Sequence, residues 1–202
     1  MYRVLRTTNP SPYMVYMKTS DVEIACSSPE TLIRLQNQEL STFPIAGTRP
    51  RGKTSEEDEQ LIEQLLKDEK ELSEHHMLVD LARNDLGKIC RYGTIEVKKM
   101  IEIMKFSHML HMATTVTGKI KYSLDPLDAI GAALPAGTLS GAPKIRACQI
   151  IDELENTRRG VYGGAIGYID FTGNTDTCIG IRLAVKKDDV GYVQSGAGIV
   201  KD

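Results

Sequence analysis

Several features that would assign a class at once are missing from this sequence. No apolar run approaches the roughly 20 residues needed to cross a bilayer, and the opening Met1-Tyr2-Arg3-Val4-Leu5-Arg6 has none of the long apolar stretch of a secretion signal. There is no Lys/Arg block: acidic and basic residues are interspersed and the formal net charge is −2, so neither a nucleic-acid footprint nor a patch for anionic membranes is indicated. Cys26, Cys90, Cys148 and Cys178 are scattered without a C-x-x-C pair, which argues against a disulfide frame or zinc site and fits reduced, mostly buried thiols. Internal repeats, linkers and low-complexity tracts are absent too. What remains is 202 residues, 41% hydrophobic and 26% charged, enough for a core of its own. The simplest reading is one domain of a cytosolic protein whose partner is a small molecule or another protein.

Tyr13–Thr19 and Val22–Ser27 alternate as two strands about a Ser20-Asp21 turn, and Ser28-Pro29-Glu30 is expected to open a short helix, with a cap, an early proline and an acid. Pro44–Gly52 is too rich in Pro and Gly for a regular element and reads as a loop whose small residues and two arginines suit an anion. Thr54 with Glu57 is a possible capping box, and Leu61, Leu65, Leu72 and Val79 recur at near-helical spacing, predicting one long helix from about Ser55 to about Ala82, ended by Asn84, Asp85 and Gly87. A strand at Thr94–Lys99, an ambiguous stretch at Ile101–Thr117, a helix at Asp125–Leu134 and a helix from about Ala142 to about Leu154 follow. Strands return at Val161–Phe171 and Thr177–Lys187, joined across Gly173-Asn174, and at Tyr192–Gln194. Strands in groups between helices, without strict β-α-β alternation, argue for an α+β architecture with mainly antiparallel sheet.

The chemistry-bearing residues each carry two readings. Glu71 and Glu74 lie three apart and so share a helix face, which fits a solvated surface or a Mg²⁺ ion held through oxygen and water. His75, His76, His108 and His111 are accompanied by carboxylates rather than cysteines, so a lone histidine acid or base is more credible than zinc. Gly137-Thr138-Leu139-Ser140-Gly141-Ala142-Pro143-Lys144 has too short a glycine-to-lysine spacing for a nucleotide loop, but a Gly-rich turn entering a helix offers N–H groups to a carboxylate. The same applies to Gly196-Ala197-Gly198. Arg182, expected on an apolar strand and partly buried, needs an anion, either a ligand carboxylate or a structural partner. Tyr162, flanked by glycines, fits a packed core or a ligand contact. These residues together suggest a Mg²⁺-assisted site for an anionic small molecule.

PIAGTRPRG at 44–52, LVDLARNDLG at 78–87, PAGTLSGAPKIR at 135–146, RRGVYGGAIGYIDF at 158–171 and GAGIVKD at 196–202 together resemble the chorismate-utilising enzymes, over essentially the whole chain. The resemblance implies an α+β fold of two large antiparallel sheets with helices outside and a cleft for the substrate. Asn9–Met14 is similar to the segment that helps bind feedback L-tryptophan in the anthranilate synthase large subunits, with Pro12, Tyr13 and Met14 the matching positions. Ala46 points to the same branch, since the aminodeoxychorismate synthases commonly place a nucleophilic lysine there and alanine has no such chemistry. The implied reaction is attack of ammonia at C2 of Mg²⁺-bound chorismate with loss of the C4 hydroxyl, then elimination of pyruvate to give anthranilate. In this carry-over Glu74 is a Mg²⁺ ligand and Glu71 its acidic neighbour. Arg182, Tyr162, Gly196, Ala197, Gly198 and Val200 hold carboxylates, Gly47 and Thr48 line the pocket, His111 serves pyruvate elimination, and Thr138 is a polar pocket residue. A glutamine amidotransferase subunit is the implied partner.

Family chains continue past the equivalent of Asp202 through an acidic segment with a further Mg²⁺ ligand, and the large subunit is more than twice this length. The expectation is therefore residues 1–202 of a C-terminal catalytic domain, incomplete at both ends, with weak or no activity alone and with unpaired edges that favour a homo-oligomer. Aminodeoxychorismate synthase chemistry, or a catalytically dead folded module that keeps only a partner surface, are the alternatives.

Overall fold

The structure, a computed structural model, describes residues 1–106 and 108–198. It opens with a short helix, α1 (Tyr2–Thr8), which buries none of its residues and which the sequence reading did not anticipate. Strands β1 (Tyr13–Lys18) and β2 (Glu23–Ser28) pair antiparallel as expected. Their turn is fixed by Thr19, whose hydroxyl accepts from the N–H groups of Asp21 and Val22.

The helix expected after Ser28-Pro29 is a strand, β3 (Thr31–Gln36). Leu32, Ile33 and Leu35 are buried between neighbouring elements, and that two-sided burial outweighs the local capping signal. Asn37 and Gln38, both at positive φ (51° and 66°), turn the chain tightly into β4 (Glu39–Thr42). The segment 44–52 is also not a loop: Ile45–Pro50 forms β5, with an irregularity between Ala46 and Thr48 where Gly47 takes φ 65°. A glycine at such an irregularity keeps a strand compatible with a composition that reads as a loop.

The single long helix expected from Ser55 is two, α2 (Ser55–Lys67) and α3 (Glu69–Ile89). Asp68 breaks it by turning its carboxylate onto the N–H groups of Lys70 and Glu71, so the second helix starts with its own cap. Thr54 caps the first, as the sequence suggests, by accepting from Glu57 N–H. Helix α3 runs past Asn84, Asp85 and Gly87 because Leu78, Val79, Leu86 and Ile89 keep the buried stripe going.

Strand β6 (Glu96–Lys105) and β7 (Met109–Lys119) resolve the ambiguous stretch as an antiparallel pair. Helix α4 (Pro126–Ala133) carries a reciprocal capping box between Asp125 and Asp128. The helix expected from about Ala142 to about Leu154 is α6 (Lys144–Leu154), and a four-residue turn, α5 (Gly137–Ser140), precedes it. Lys144 donates to Asp85 at 2.6 Å and tethers the start of α6 to α3, which gives that lysine a structural place.

Strand β8 (Ala165–Ile169) pairs with β9 (Thr175–Ile179). The expected strand at 177–187 is cut at Gly180–Arg182, where the chain leaves one sheet for the other and continues as β10 (Leu183–Lys187) and β11 (Val190–Val193). One sheet is ordered β1-β2-β10-β11. The other runs β5-β7-β4-β3-β9-β8, with β6 along the far side of β7, and every pairing is antiparallel. The α+β class inferred from element order holds.

Helices α3 and α4 cover the larger sheet over Leu32, Ile33, Leu35, Leu40, Val79, Leu86, Val116 and Ile179. The two sheets meet over Ile24, Cys26, Ile166, Cys178 and Leu183. None of the described helices is long and apolar enough to cross a membrane.

Candidate active site

The site assembles where β5, β7, α3 and the β2–β3 link converge. Thr48 and His111 are directly opposed on β5 and β7, so their side chains share a face. His111 Nδ1 lies 3.1 Å from Thr48 Oγ1 and 3.2 Å from the Gly47 carbonyl oxygen. A carbonyl only accepts, so this contact selects the tautomer with its hydrogen on Nδ1 and leaves Nε2 with a free lone pair. Burial pushes the His111 pKa below its ordinary value, the Gly47 carbonyl opposes that shift, and the positive charge of Arg182 adds to it. The ring is therefore neutral at physiological pH. Phe106 packs edge-on against it at 5.5 Å between centroids.

Gly47 has no room for a side chain. A Cβ there would stand 2.7 Å from Met112 Cε, 3.0 Å from Leu65 Cδ1 and 3.5 Å from Glu71 Oε2. That last distance places Glu71, from the first turn of α3, beside the pocket strand. Its other oxygen, Oε1, is 3.4 Å from Arg49 Nη1, while Arg49 Nη2 donates to Asp68 at 2.7 Å. Glu74 is exposed one turn further on. Among the described residues no three His, Cys, Asp or Glu side chains converge on a common ion position. Two carboxylates on one helix face do match Mg²⁺ chemistry, in which the metal commonly keeps waters and substrate oxygens beside one or two protein ligands. Ala46 is buried and packs with Met77, Leu78 and Leu81, without a nucleophile.

The sequence reading missed Glu30. It sits on the β2–β3 link, where its carbonyl accepts from Ile179 N–H at 3.0 Å, and it lines a narrow cleft together with Pro44, Leu81, Ala136 and Thr138. Burial raises its carboxyl from an ordinary 4.5 to about 7, against the opposing pull of the Thr138 hydroxyl and the Arg182 charge. The signal was available: an acid directly before an alternating apolar strand is carried inward with it, and only the expectation of a helix hid this.

Arg182 is not on a strand and is exposed, contrary to expectation. It occupies the break between β9 and β10 at φ 49°, its own carbonyl accepting from Ser27 N–H. No ion pair engages it among the described residues, yet its charge acts on both Glu30 and His111. Tyr162 is buried, its ring 5.7 Å from the Arg159 guanidinium. A Cβ on Gly196 would lie 2.9 Å from the Tyr162 hydroxyl, so these two positions adjoin. Ala197 and Gly198 continue that exposed segment, and Val200 lies outside the described residues. Thr138 stands on the α5 turn beside Glu30.

Pro12, Tyr13 and Met14 lie apart from this cluster, at the start of β1. Pro12 is exposed. The Tyr13 hydroxyl donates to Asp176 at 2.6 Å and shares a 2.7 Å contact with Thr31, while Asp176 also accepts from Arg34. This network ties the two sheets together.

The model of the chorismate binding enzyme family matches residues 1–202. Anthranilate synthase component 1 of Acetivibrio thermocellus is 56% identical over all 202 residues, which correspond to 41% of its own length. Among solved structures, anthranilate synthase component I from Streptococcus pneumoniae TIGR4 superposes with a TM-score of 0.90 at 47% identity, over 98% of this chain and 44% of that one. The menaquinone-specific isochorismate synthase of Escherichia coli superposes with a TM-score of 0.81 at 25% identity, over 92% and 42%. The chain thus spans about two fifths of the length of these relatives.

Proposed function

The chain belongs to the chorismate-binding enzyme family, and from that membership we propose that it carries anthranilate synthase chemistry: amination of chorismate by ammonia, followed by elimination of pyruvate. The observation that supports this most is the pairing of a carboxyl poised near pH 7, Glu30, with a neutral imidazole, His111, both within the field of one guanidinium, Arg182, that no ion pair engages among the described residues. An acid and a base held apart in protonation state by their surroundings suit a reaction that first expels a hydroxyl and then removes a proton.

In this reading Arg182 binds a chorismate carboxylate, with the Tyr162 hydroxyl and the Gly196–Gly198 backbone completing the hold. The protonated Glu30 carboxyl gives its proton to the C4 hydroxyl, which leaves as water as ammonia bonds to C2 and the ring double bonds shift toward C4; the new ammonium group then gives up one proton, which restores the Glu30 carboxyl. His111 Nε2 then takes the C2 proton, the C3–O bond breaks, and the enolpyruvyl group leaves as pyruvate after gaining a proton at its methylene carbon. Thr48 and the Gly47 carbonyl keep the imidazole oriented, so Nε2 stays available. Glu71 and Glu74 would hold Mg²⁺, which supplies positive charge against the ring carboxylate. Ammonia delivered by a glutamine amidotransferase subunit, L-tryptophan feedback through Pro12–Met14, and a cytosolic location belong to the same proposal.

The test is calorimetric titration of the chain with chorismate, with and without Mg²⁺, coupled to anthranilate fluorescence with ammonia as donor. Mg²⁺-dependent binding with fluorescent product is the expected result. Binding without product would leave a folded substrate-binding module, and product that is not anthranilate would move the chain to another branch of the family.

A further inference from the structure

Arg49 is absorbed by none of the roles above, yet its side chain joins the two halves of the site. It stands on β5 next to Thr48, which faces His111. From there its guanidinium reaches the α2–α3 junction, donating to Asp68 Oδ2 at 2.7 Å, with Nη1 3.4 Å from Glu71 Oε1 and also donating to the Thr48 carbonyl at 3.0 Å. Arg49, Asp68 and Glu71 are all about one quarter to one third exposed. Asp68 is at the same time the cap that starts α3.

Two consequences follow. The Glu71 carboxylate is divided, with Oε1 turned to the guanidinium and Oε2 lying over Gly47, 3.5 Å from where a Cβ would be. The charges of Asp68, Glu71 and Arg49 sum to −1, so the guanidinium leaves a net negative charge for an incoming cation. A glutamate freed from such a contact regains rotamer freedom that an ion must then remove on binding.

We propose that Arg49 is a positioning residue for the metal arm, clamping Glu71 Oε1 and the cap of α3 so that Oε2, free of the guanidinium, is the oxygen left for a divalent cation. This rests on the reading of Glu71 and Glu74 as the protein's Mg²⁺ ligands.

The experiment measures Mn²⁺, as a spin-active substitute for Mg²⁺, by the loss of its free electron paramagnetic resonance signal on titration into the 202-residue chain. Circular dichroism and melting on each variant establish that it is folded. Arg49→Met is expected to weaken Mn²⁺ binding about tenfold, Arg49→Lys to recover part of that loss, and the Arg49→Met/Glu71→Gln double variant to bind no more weakly than Glu71→Gln alone. Asp68→Asn, which keeps a capping side chain, is expected to weaken binding less than Arg49→Met does. Unchanged or tighter binding by a folded Arg49→Met chain would overturn the proposal, since the guanidinium would then be neutral or a competing cation. Additive losses in the double variant would overturn it as well. Should Arg49→Met not fold, Arg49→Lys and the Glu71→Gln comparison decide: wild-type affinity in Glu71→Gln overturns the clamp. A wild-type chain that takes up no Mn²⁺ overturns the metal reading itself and this inference with it, a result distinct from metal binding that ignores Arg49.

Discussion

The two sides of the candidate site are built on different principles. One side is a wall of paired strands and a helix. His111 is held by its cross-strand partner and a carbonyl, Gly47 is packed until no Cβ fits, and Glu71 is tied to Arg49. The other side is a rim: Arg182 at a break between sheets, without an ion pair among the described residues, and Gly196–Gly198 outside any strand. The groups proposed to move protons sit where geometry is fixed in advance, whereas the groups proposed to grip carboxylates are left free until a ligand arrives. Wall substitutions should therefore disturb chemistry or stability, and rim substitutions affinity alone.

Glu30→Gln tests the wall most severely. It keeps the shape and removes the transferable proton, and anthranilate formation should fall by about 10²–10⁴-fold, the usual share of a general acid, with chorismate affinity preserved. Equal loss of turnover and affinity would move Glu30 to the rim. Arg182→Met is the converse: loss of a charge-assisted pair predicts about 1.5–3 kcal/mol of chorismate binding by calorimetry, without a change in melting temperature. A lowered melting temperature would make that arginine structural after all.

Gly47→Ala should destabilise the fold by about 1–3 kcal/mol in denaturant titration, because the residue needs φ 65° and its Cβ would meet Met112 and Leu65. A wild-type midpoint would show the wall to be softer than its packing implies. The smallest effect is a slope. Glu30 has a folded pKa of about 7 against an ordinary 4.5, so between those values the folded state binds more protons than the unfolded one and stability falls as pH rises. The contribution is complete below about pH 4.5 and lost above about pH 7. Glu30→Gln should flatten that part of the curve, and an unaltered slope would mean the carboxyl is solvated.

The rim was easier to read in the sequence than the wall, although the wall is the more ordered of the two. Arg182, Tyr162 and Gly196–Gly198 were singled out from glycine punctuation and an isolated cation, signals that survive without knowledge of packing. Three elements of the wall were misjudged for one reason: local chemistry was weighed without the neighbours that override it. Ser28-Pro29-Glu30 looks like a helix start until Leu32, Ile33 and Leu35 are placed between other elements. PIAGTRPRG looks like a loop until β7 pairs with it. The run from Ser55 looks continuous because a cap at Asp68 is one residue and leaves no gap in the hydrophobic period. Arg182 was assigned the wrong setting, since only tertiary structure shows the chain changing sheets at residues 180–182. The helix opening at Asp125, the first hairpin and the antiparallel character were legible because each depends on residues near in sequence.

Strand β7 pairs through 109–113 with β5 and through 116–119 with β4, while β6 runs along its other edge. Because side chains alternate, adding or deleting a single residue within it would turn His111 to the opposite face and misalign three neighbours together. Changes of length in this lineage should therefore accumulate at exposed turns such as that around Gly173, while the seam through β7 keeps its residue count even as the residues themselves are exchanged.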